Sequence, residues 1–184
     1  MHIAVNTFEG LERREVELLR GILSEVEGEG VEIGCLDGYG AARILELSKL
    51  RLTSIDPIIP DSMEASLIGD VGRLKENVAA FGDRHTFIQD YSHNVIKTFT
   101  KKIDFLFIDG DHNYEAVMRD FNEWTPLLKV GGILAIHDSR MSRPGGANFH
   151  VGPSRVADER IYADTLGWRV IGEAFSLTVA SKLQ

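Results

Sequence analysis

Between Val31 and Gly40 the chain reads Val-Glu-Ile-Gly-Cys-Leu-Asp-Gly-Tyr-Gly, and the rest of the sequence is arranged around this stretch. A short apolar beginning, Val31 and Ile33, runs into a glycine-rich turn, and a helix-like run from Ala41 to Leu50 follows. This is a strand–turn–helix unit of the kind that opens a parallel sheet. Glycine lets backbone approach a ligand where a Cβ would collide. The helix start offers free N–H groups to anions and polar ligands. The spacing, Glu-x-Gly-x-x-x-Gly-x-Gly, is not the dinucleotide fingerprint Gly-x-Gly-x-x-Gly, because Arg43 stands where the third glycine belongs. A tight turn that holds no ligand is the reading the stretch alone leaves open.

The remaining sequence narrows the class. With 184 residues the chain is expected to be one domain, 1–184, large enough for a sizeable core. A net charge of −8 argues against a broad nucleic-acid surface. The single Cys35 forms no internal disulfide, which suits a reducing, cytoplasmic setting. Met1 to Asn6 shows no basic segment leading into an apolar one, so no signal peptide is expected. No apolar run approaches bilayer-spanning length, so no membrane partner is expected.

In chain order, Glu9 to Glu27 reads as an amphipathic helix with Leu11, Val16, Leu19, Leu23 and Val26 near one stripe, widened by Leu18 and Ile22. It is expected to cover the sheet or a partner chain, so a homodimer is open; Gly28-Glu29-Gly30 ends it. A second strand, Leu52 to Ile55, stops at Asp56-Pro57. An acid there can accept hydrogen bonds from both ribose hydroxyls of a nucleoside ligand, and Rossmann-like folds place it opposite the glycine turn. Asp before Pro is also an ordinary turn signal. Ile58 to Gly69 is a long connection that either folds over a ligand or is plain linker. A helix from Asp70 to Phe81 is followed by a strand, His85 to Gln89, then Asp90-Tyr91-Ser92 and a weak helix to Thr100. Asp90 is read as a helix cap or a ligand residue, with Gln89 beside it.

Ile103 to Ile108 is almost continuously apolar, as a central parallel strand buried on both faces should be. It ends at Asp109-Gly110-Asp111-His112, and a helix from Tyr114 to Leu128 follows. Gly131-Gly132 leads into a fifth strand, Ile133 to Ile136, which ends at His137-Asp138. Met141 to Gly152 reads as a loop beside the site, carrying Arg143 and His150. A last helix, Pro153 to Leu166, and a hairpin from Trp168 to Ser181 close the chain. The alternation predicts an α/β fold with a mostly parallel sheet.

The two strand ends are the sharper signal. Neighbouring strands place Asp109, Asp111, His112, His137 and Asp138 on one sheet edge, the edge that carries the glycine turn and where ligands bind at the strand-order reversal. Two carboxylates and an imidazole can hold a hard divalent cation such as Mg²⁺. Such a cation lowers the pKa of a hydroxyl and a nearby base takes its proton. The bland readings are that Asp111 or His112 caps the next helix, that Asp109 bonds loop N–H groups, and that His137 is an inner histidine satisfied by its neighbours.

The glycine turn resembles the first motif of the class I S-adenosylmethionine (SAM)-dependent methyltransferases. Phe107 to Glu115, Leu127 to Gly132 and His137-Asp138 resemble a subgroup that includes small metal-dependent O-methyltransferases of sugars and other hydroxyls, some labelled cephalosporin-hydroxylase-like. The resemblance implies a seven-stranded Rossmann-like sheet with helices on both faces and a C-terminal antiparallel hairpin, residues 1–29 being a cover helix. It implies that Gly34, Gly38 and the stretch Cys35, Asp37 and Tyr39 hold the methionine part of SAM, with Glu32 orienting that loop or reaching the amino group. Asp56 takes the ribose, Asp90 the adenine side, and Asp109 touches both cofactor and metal. Asp109 and Asp138, with His137, hold Mg²⁺ or another divalent cation, and Asp111 or His112 is the base. Position 137 departs from the pattern, because metal-dependent members often have Asp there, and His is a softer ligand. The expected activity is transfer of a methyl group from SAM to a small-molecule or sugar hydroxyl. The alternatives are an NAD(P)-dependent oxidoreductase and a catalytically idle SAM-binding or scaffold protein of the same fold.

Overall fold

The computed structural model describes residues 10–62, 65, 68–140 and 151–184. Arg143 and His150 lie outside the described residues. Seven strands form one sheet: β1 (Glu27–Ile33), β2 (Lys49–Ile55), β3 (His85–Ile88), β4 (Ile103–Ile108), β5 (Leu128–Ile136), β6 (Trp168–Ala174) and β7 (Leu177–Lys182). Their order is β3-β2-β1-β4-β5-β7-β6. The first five are parallel, and β7 runs antiparallel between β5 and β6. The expected sheet and its closing hairpin are thus both present.

The helices are α1 (Arg13–Leu23), α2 (Tyr39–Leu47), α3 (Val71–Val78), α4 (Ser92–Val95), α5 (Tyr114–Trp124) and α6 (Val151–Ala157). Alternate strand residues feed two cores. On one face Leu19 and Leu23 of α1, Ile44 and Leu45 of α2 and Leu74 of α3 pack with Phe105 and Phe107 of β4. On the other, Val117, Phe121 and Trp124 of α5 and Val156 of α6 pack with Leu106 and Ile108. Both faces of β4 are therefore dry, which its apolar run requires. The helix α1 lies on its own sheet: Leu19 and Leu23 are fully buried there, and Leu18 sits against Gly172 of β6, where a Cβ would come within 2.5 Å of it. Among the described residues no helix is long and apolar enough to cross a membrane.

Several boundaries differ from the sequence reading. The Gly28-Glu29-Gly30 segment does not end a helix; it is the start of β1. Its glycines are there because neighbours crowd them: a Cβ on Gly28 would sit 2.2 Å from Asp104 Oδ2, and one on Gly30 would sit 3.2 Å from Leu50 and Leu52. The strand β5 likewise begins at Leu128 and carries Gly131-Gly132 within it, at a shifted register against β4. The final helix stops at Ala157 and loosens into a π turn, Asp158–Tyr162.

Candidate active site

The strand order reverses between β1 and β4, and the register sets Ile33 beside Ile108. Gly34 and Asp109 therefore leave the sheet side by side. Gly34 has φ +83°, and a Cβ there would lie 2.1 Å from the Asp109 carbonyl oxygen. Glycine is needed here for conformation and for space together. The Asp109 N–H donates to Ile33 O at 2.8 Å and the His137 N–H to Ile108 O at 3.0 Å, which carries the edge on to β5.

Asp56, buried at the end of β2, clamps the glycine turn. Its Oδ2 accepts the N–H groups of Cys35 and Leu36 at 2.8 and 2.9 Å, and Oδ1 accepts that of Ile58 at 2.7 Å. Asp37 faces α3, taking the Asp70 N–H at 2.7 Å and pairing with Arg73 at 3.1 Å. Gly38, at φ +78°, is the N-cap of α2, and Tyr39 opens that helix. Asp90 stands beyond β3, bonded to the Tyr91 N–H and the Asn94 amide.

Glu32 lies beneath the turn, fully buried, its carboxyl bonded to the Ser54 hydroxyl at 2.5 Å. Burial pushes its pKa up to about 8, with Asp109 and Asp56 adding to the cost of a charge against the pull of Ser54. An unfolded glutamate ionises near 4.5, so between pH 4.5 and 8 the folded chain holds a proton that the unfolded chain has lost. The contribution of Glu32 to stability then falls as pH rises through that window, by about 1.4 kcal/mol per unit. Glu32→Gln keeps an acceptor for Ser54 and removes the linkage. The gap between variant and wild type should move in the variant's favour by about 3–5 kcal/mol across the window. Urea unfolding at pH 5 and pH 8 reads this directly, and parallel pH profiles would show that Glu32 is already ionised.

The strand ends of β4 and β5 bring together a cluster of carboxylates and imidazoles. Ligand atoms of Asp109, His137 and Asp138 lie within 4.8 Å of one another. His137 Nδ1 is 3.0 Å from Asp109 Oδ1 and 3.4 Å from Asp138 Oδ2. Yet that nitrogen is buried and makes no well-directed hydrogen bond. On the other side of the ring, Nε2 is 3.3 Å from Glu15 Oε2. His112, also buried, has Nε2 3.1 Å from Asp138 Oδ2 and Nδ1 3.1 Å from Asp61 Oδ2. Burial opposes charge on both rings, but the surrounding carboxylates outweigh it and hold both above the ordinary histidine value. Burial also raises Asp109.

Asp111 stands apart from this cluster. Its carboxylate takes the Ser62 hydroxyl at 2.6 Å and the Asn113 N–H at 2.7 Å. It therefore fastens the connection after β2, whose neighbouring Asp61 also accepts the His112 N–H at 3.2 Å. Gly69 packs on Leu36, where a Cβ would lie 2.6 Å from the carbonyl oxygen, so this connection runs along the ligand edge. Arg140 meets Tyr162, Asp158 and Glu173. Arg155 lies over the Tyr114 ring and pairs with Glu159.

Two site residues escaped the sequence reading, Glu15 and Asp61. Glu15 had a signal: it follows Leu11 and precedes Leu19 and Leu23 at four-residue steps, an acid in the buried stripe of α1. Asp61 lies in an irregular connection where no periodicity marks it.

A family model described as a methyltransferase domain matches residues 31–139, more than half of the chain. The chain belongs to this methyltransferase family. An uncharacterized protein of Acanthamoeba polyphaga mimivirus is 32% identical over 117 residues, 59% of this chain and 50% of that protein. The chain thus matches about half the length of that relative. A putative caffeoyl-CoA O-methyltransferase from Staphylococcus aureus superposes with a TM-score of 0.66 at 17% identity, covering 94% of this chain and 84% of that one. The O-methyltransferase TomG from Streptomyces achromogenes, solved in complex with SAM, gives 0.64 at 14%, covering 96% and 82%. An rRNA methylase from Streptococcus thermophilus gives 0.62 at 16%, covering 95% and 99%. At these identities the shared property is the class I methyltransferase fold.

Proposed function

We propose that this chain transfers the methyl group of SAM to a hydroxyl of a small molecule or sugar, assisted by a divalent cation. The observation that carries the reading is the Asp109–His137–Asp138 cluster beside the glycine turn, at the strand-order reversal where this fold takes its ligand. The methionine part of SAM lies against Gly34, Cys35, Asp37, Gly38 and Tyr39, over Glu32. Asp56 reaches the ribose side by exchanging part of its backbone bonding, and Asp90 the adenine side.

The donor set suits a cation. Two carboxylates and a buried ring nitrogen without a directed hydrogen bond converge on one place, and two oxygens with one nitrogen favour Mg²⁺ or Mn²⁺ while admitting softer ions. Bound there, the cation supplies Lewis-acid stabilisation of the charge that builds on the acceptor oxygen. The base is His112. Asp61 accepts its Nδ1–H, and a cation that drew Asp138 to itself would take from Nε2 the carboxylate that now holds its hydrogen, so the ring would act in its neutral form, oriented by Asp61. Asp111 holds the loop that brings Asp61. The acceptor is required to lie in line with the S–CH₃ bond at near-attack distance. The methyl leaves sulfur for oxygen, the proton goes to His112, and S-adenosylhomocysteine remains.

Calorimetric titration with SAM, first in EDTA and then in Mg²⁺, with NAD as control, tests this. SAM binding together with a saturable Mg²⁺ site that Asp138→Ala abolishes is the expected result. Binding of NAD without SAM would mean that the turn serves an oxidoreductase. SAM binding with no metal site would leave metal-free transfer or a binding role.

A further inference from the structure

The carboxylate of Glu15 is fully buried, held by three donors and faced by a histidine ring nitrogen. Oε1 accepts the N–H and the hydroxyl of Ser176, at 3.1 and 2.7 Å. Oε2 accepts the Glu12 N–H at 2.8 Å and lies 3.3 Å from His137 Nε2. A carboxylate so surrounded by donors is held in its ionised form. An ionised carboxylate accepts and does not donate. The His137 nitrogen that faces it must therefore carry the hydrogen.

That fixes the chemistry of the other nitrogen. A histidine whose Nε2–H is spoken for can offer the Nδ1 lone pair, and Nδ1 is the atom that sits among Asp109 and Asp138 without a directed hydrogen bond. Histidines that bind metals commonly give their second N–H to a carboxylate, which sets tautomer and ring angle. We infer that Glu15, reaching in from α1, is the positioning residue that makes His137 a metal ligand through Nδ1. The inference rests on the cation site proposed above.

The arrangement also joins distant parts of the chain. Glu15 belongs to the first turn of α1, and its bond to the Glu12 N–H is half of that helix's capping box. Ser176 is in the turn between β6 and β7, whose carbonyl also takes the Arg140 N–H at 2.9 Å. Cover helix, closing hairpin and the end of β5 thus meet on one carboxylate. An aspartate at position 137 would have no N–H to give Glu15. The histidine and the buried glutamate form one unit.

Mn²⁺ titration of the full chain, read by the loss of free-ion paramagnetic signal, separates the possibilities. Wild type, Glu15→Gln, Ser176→Ala and Asp138→Ala are compared, with SAM affinity measured alongside. Glu15→Gln should weaken Mn²⁺ binding about 10–100-fold and leave SAM affinity within about 3-fold. Ser176→Ala should weaken Mn²⁺ binding in the same direction and by less. A second readout does not depend on affinity. In the Zn²⁺-loaded protein, side-chain ¹⁵N spectra should show His137 protonated at Nε2 and metal-shifted at Nδ1, and Glu15→Gln should blur that single tautomer. An unchanged Mn²⁺ constant and tautomer in a folded Glu15→Gln overturns the role of Glu15 while leaving the metal site intact. Absence of an Asp138-dependent Mn²⁺ site in wild type overturns both.

Discussion

His112→Asn should lower the turnover number for methyl transfer by about 10²–10⁴-fold, the usual contribution of a positioned general base. SAM affinity should stay within about 3-fold, because the ring touches the loop and Asp138 rather than the glycine turn. Asn keeps a donor for Asp61 and loses the nitrogen that takes the proton. Asp111→Asn is the paired control. Its carboxylate is engaged by Ser62 and Asn113, so its loss should loosen the loop and raise KM more than it lowers kcat. Steady-state production of S-adenosylhomocysteine with a hydroxyl acceptor gives both constants. A His112→Asn enzyme that turns over within 3-fold of wild type, beside a crippled Asp111→Asn, would exchange the two roles.

The choice between those residues shows what sequence does and does not carry. Asp111 and His112 are neighbours at a strand end, and both point to the ligand edge on any strand–loop–helix reading. Only the path of the connection after β2 separates them, since Ser62 takes one and Asp61 the other. That path is set by long-range packing, such as Gly69 on Leu36, which leaves no period in the sequence. The sheet was legible because burial on both faces forces continuous apolar runs such as Ile103 to Ile108. The strand ends were legible because polar residues cluster where such runs stop. The starts of β1 and β5 were not: Gly28 and Gly30 answer to Asp104, Leu50 and Leu52 across the fold, and Gly131 takes its positive φ inside β5 rather than in a turn before it.

Asp56 makes the same point about function. The sequence offers an acid at the end of β2, where a ribose would lie. The structure shows its carboxylate already bonded to three backbone N–H groups, two of them in the glycine turn. A ligand role for Asp56 therefore competes with its hold on the turn. With Asp56 on the ribose side, as proposed, SAM binding and loop order would be coupled through one side chain, a link that spacing alone does not contain.

Gly34→Ala should cost at least about 4 kcal/mol of stability together with loss of SAM binding. Two costs add at this position. An L-residue at positive φ costs about 1–2 kcal/mol by itself. The added Cβ would also stand 2.1 Å from Asp109 O and 2.5 Å from its carbonyl carbon, backbone atoms that cannot rotate away. Relief requires β1 and β4 to part at the reversal point, which opens the Asp109–Ile33 hydrogen bond and displaces Asp109 from the cluster. Gly131 isolates the first cost: its φ is +82°, against +83° for Gly34, but a Cβ there meets nothing within 4 Å. Gly131→Ala should therefore cost only the conformational part, about 1–2 kcal/mol, and leave SAM and Mn²⁺ binding alone. Urea unfolding of the two variants beside wild type gives the difference. Equal losses would mean that the close approach of β1 and β4 yields easily, and that the edge holding Asp109 is softer than its hydrogen bonds imply.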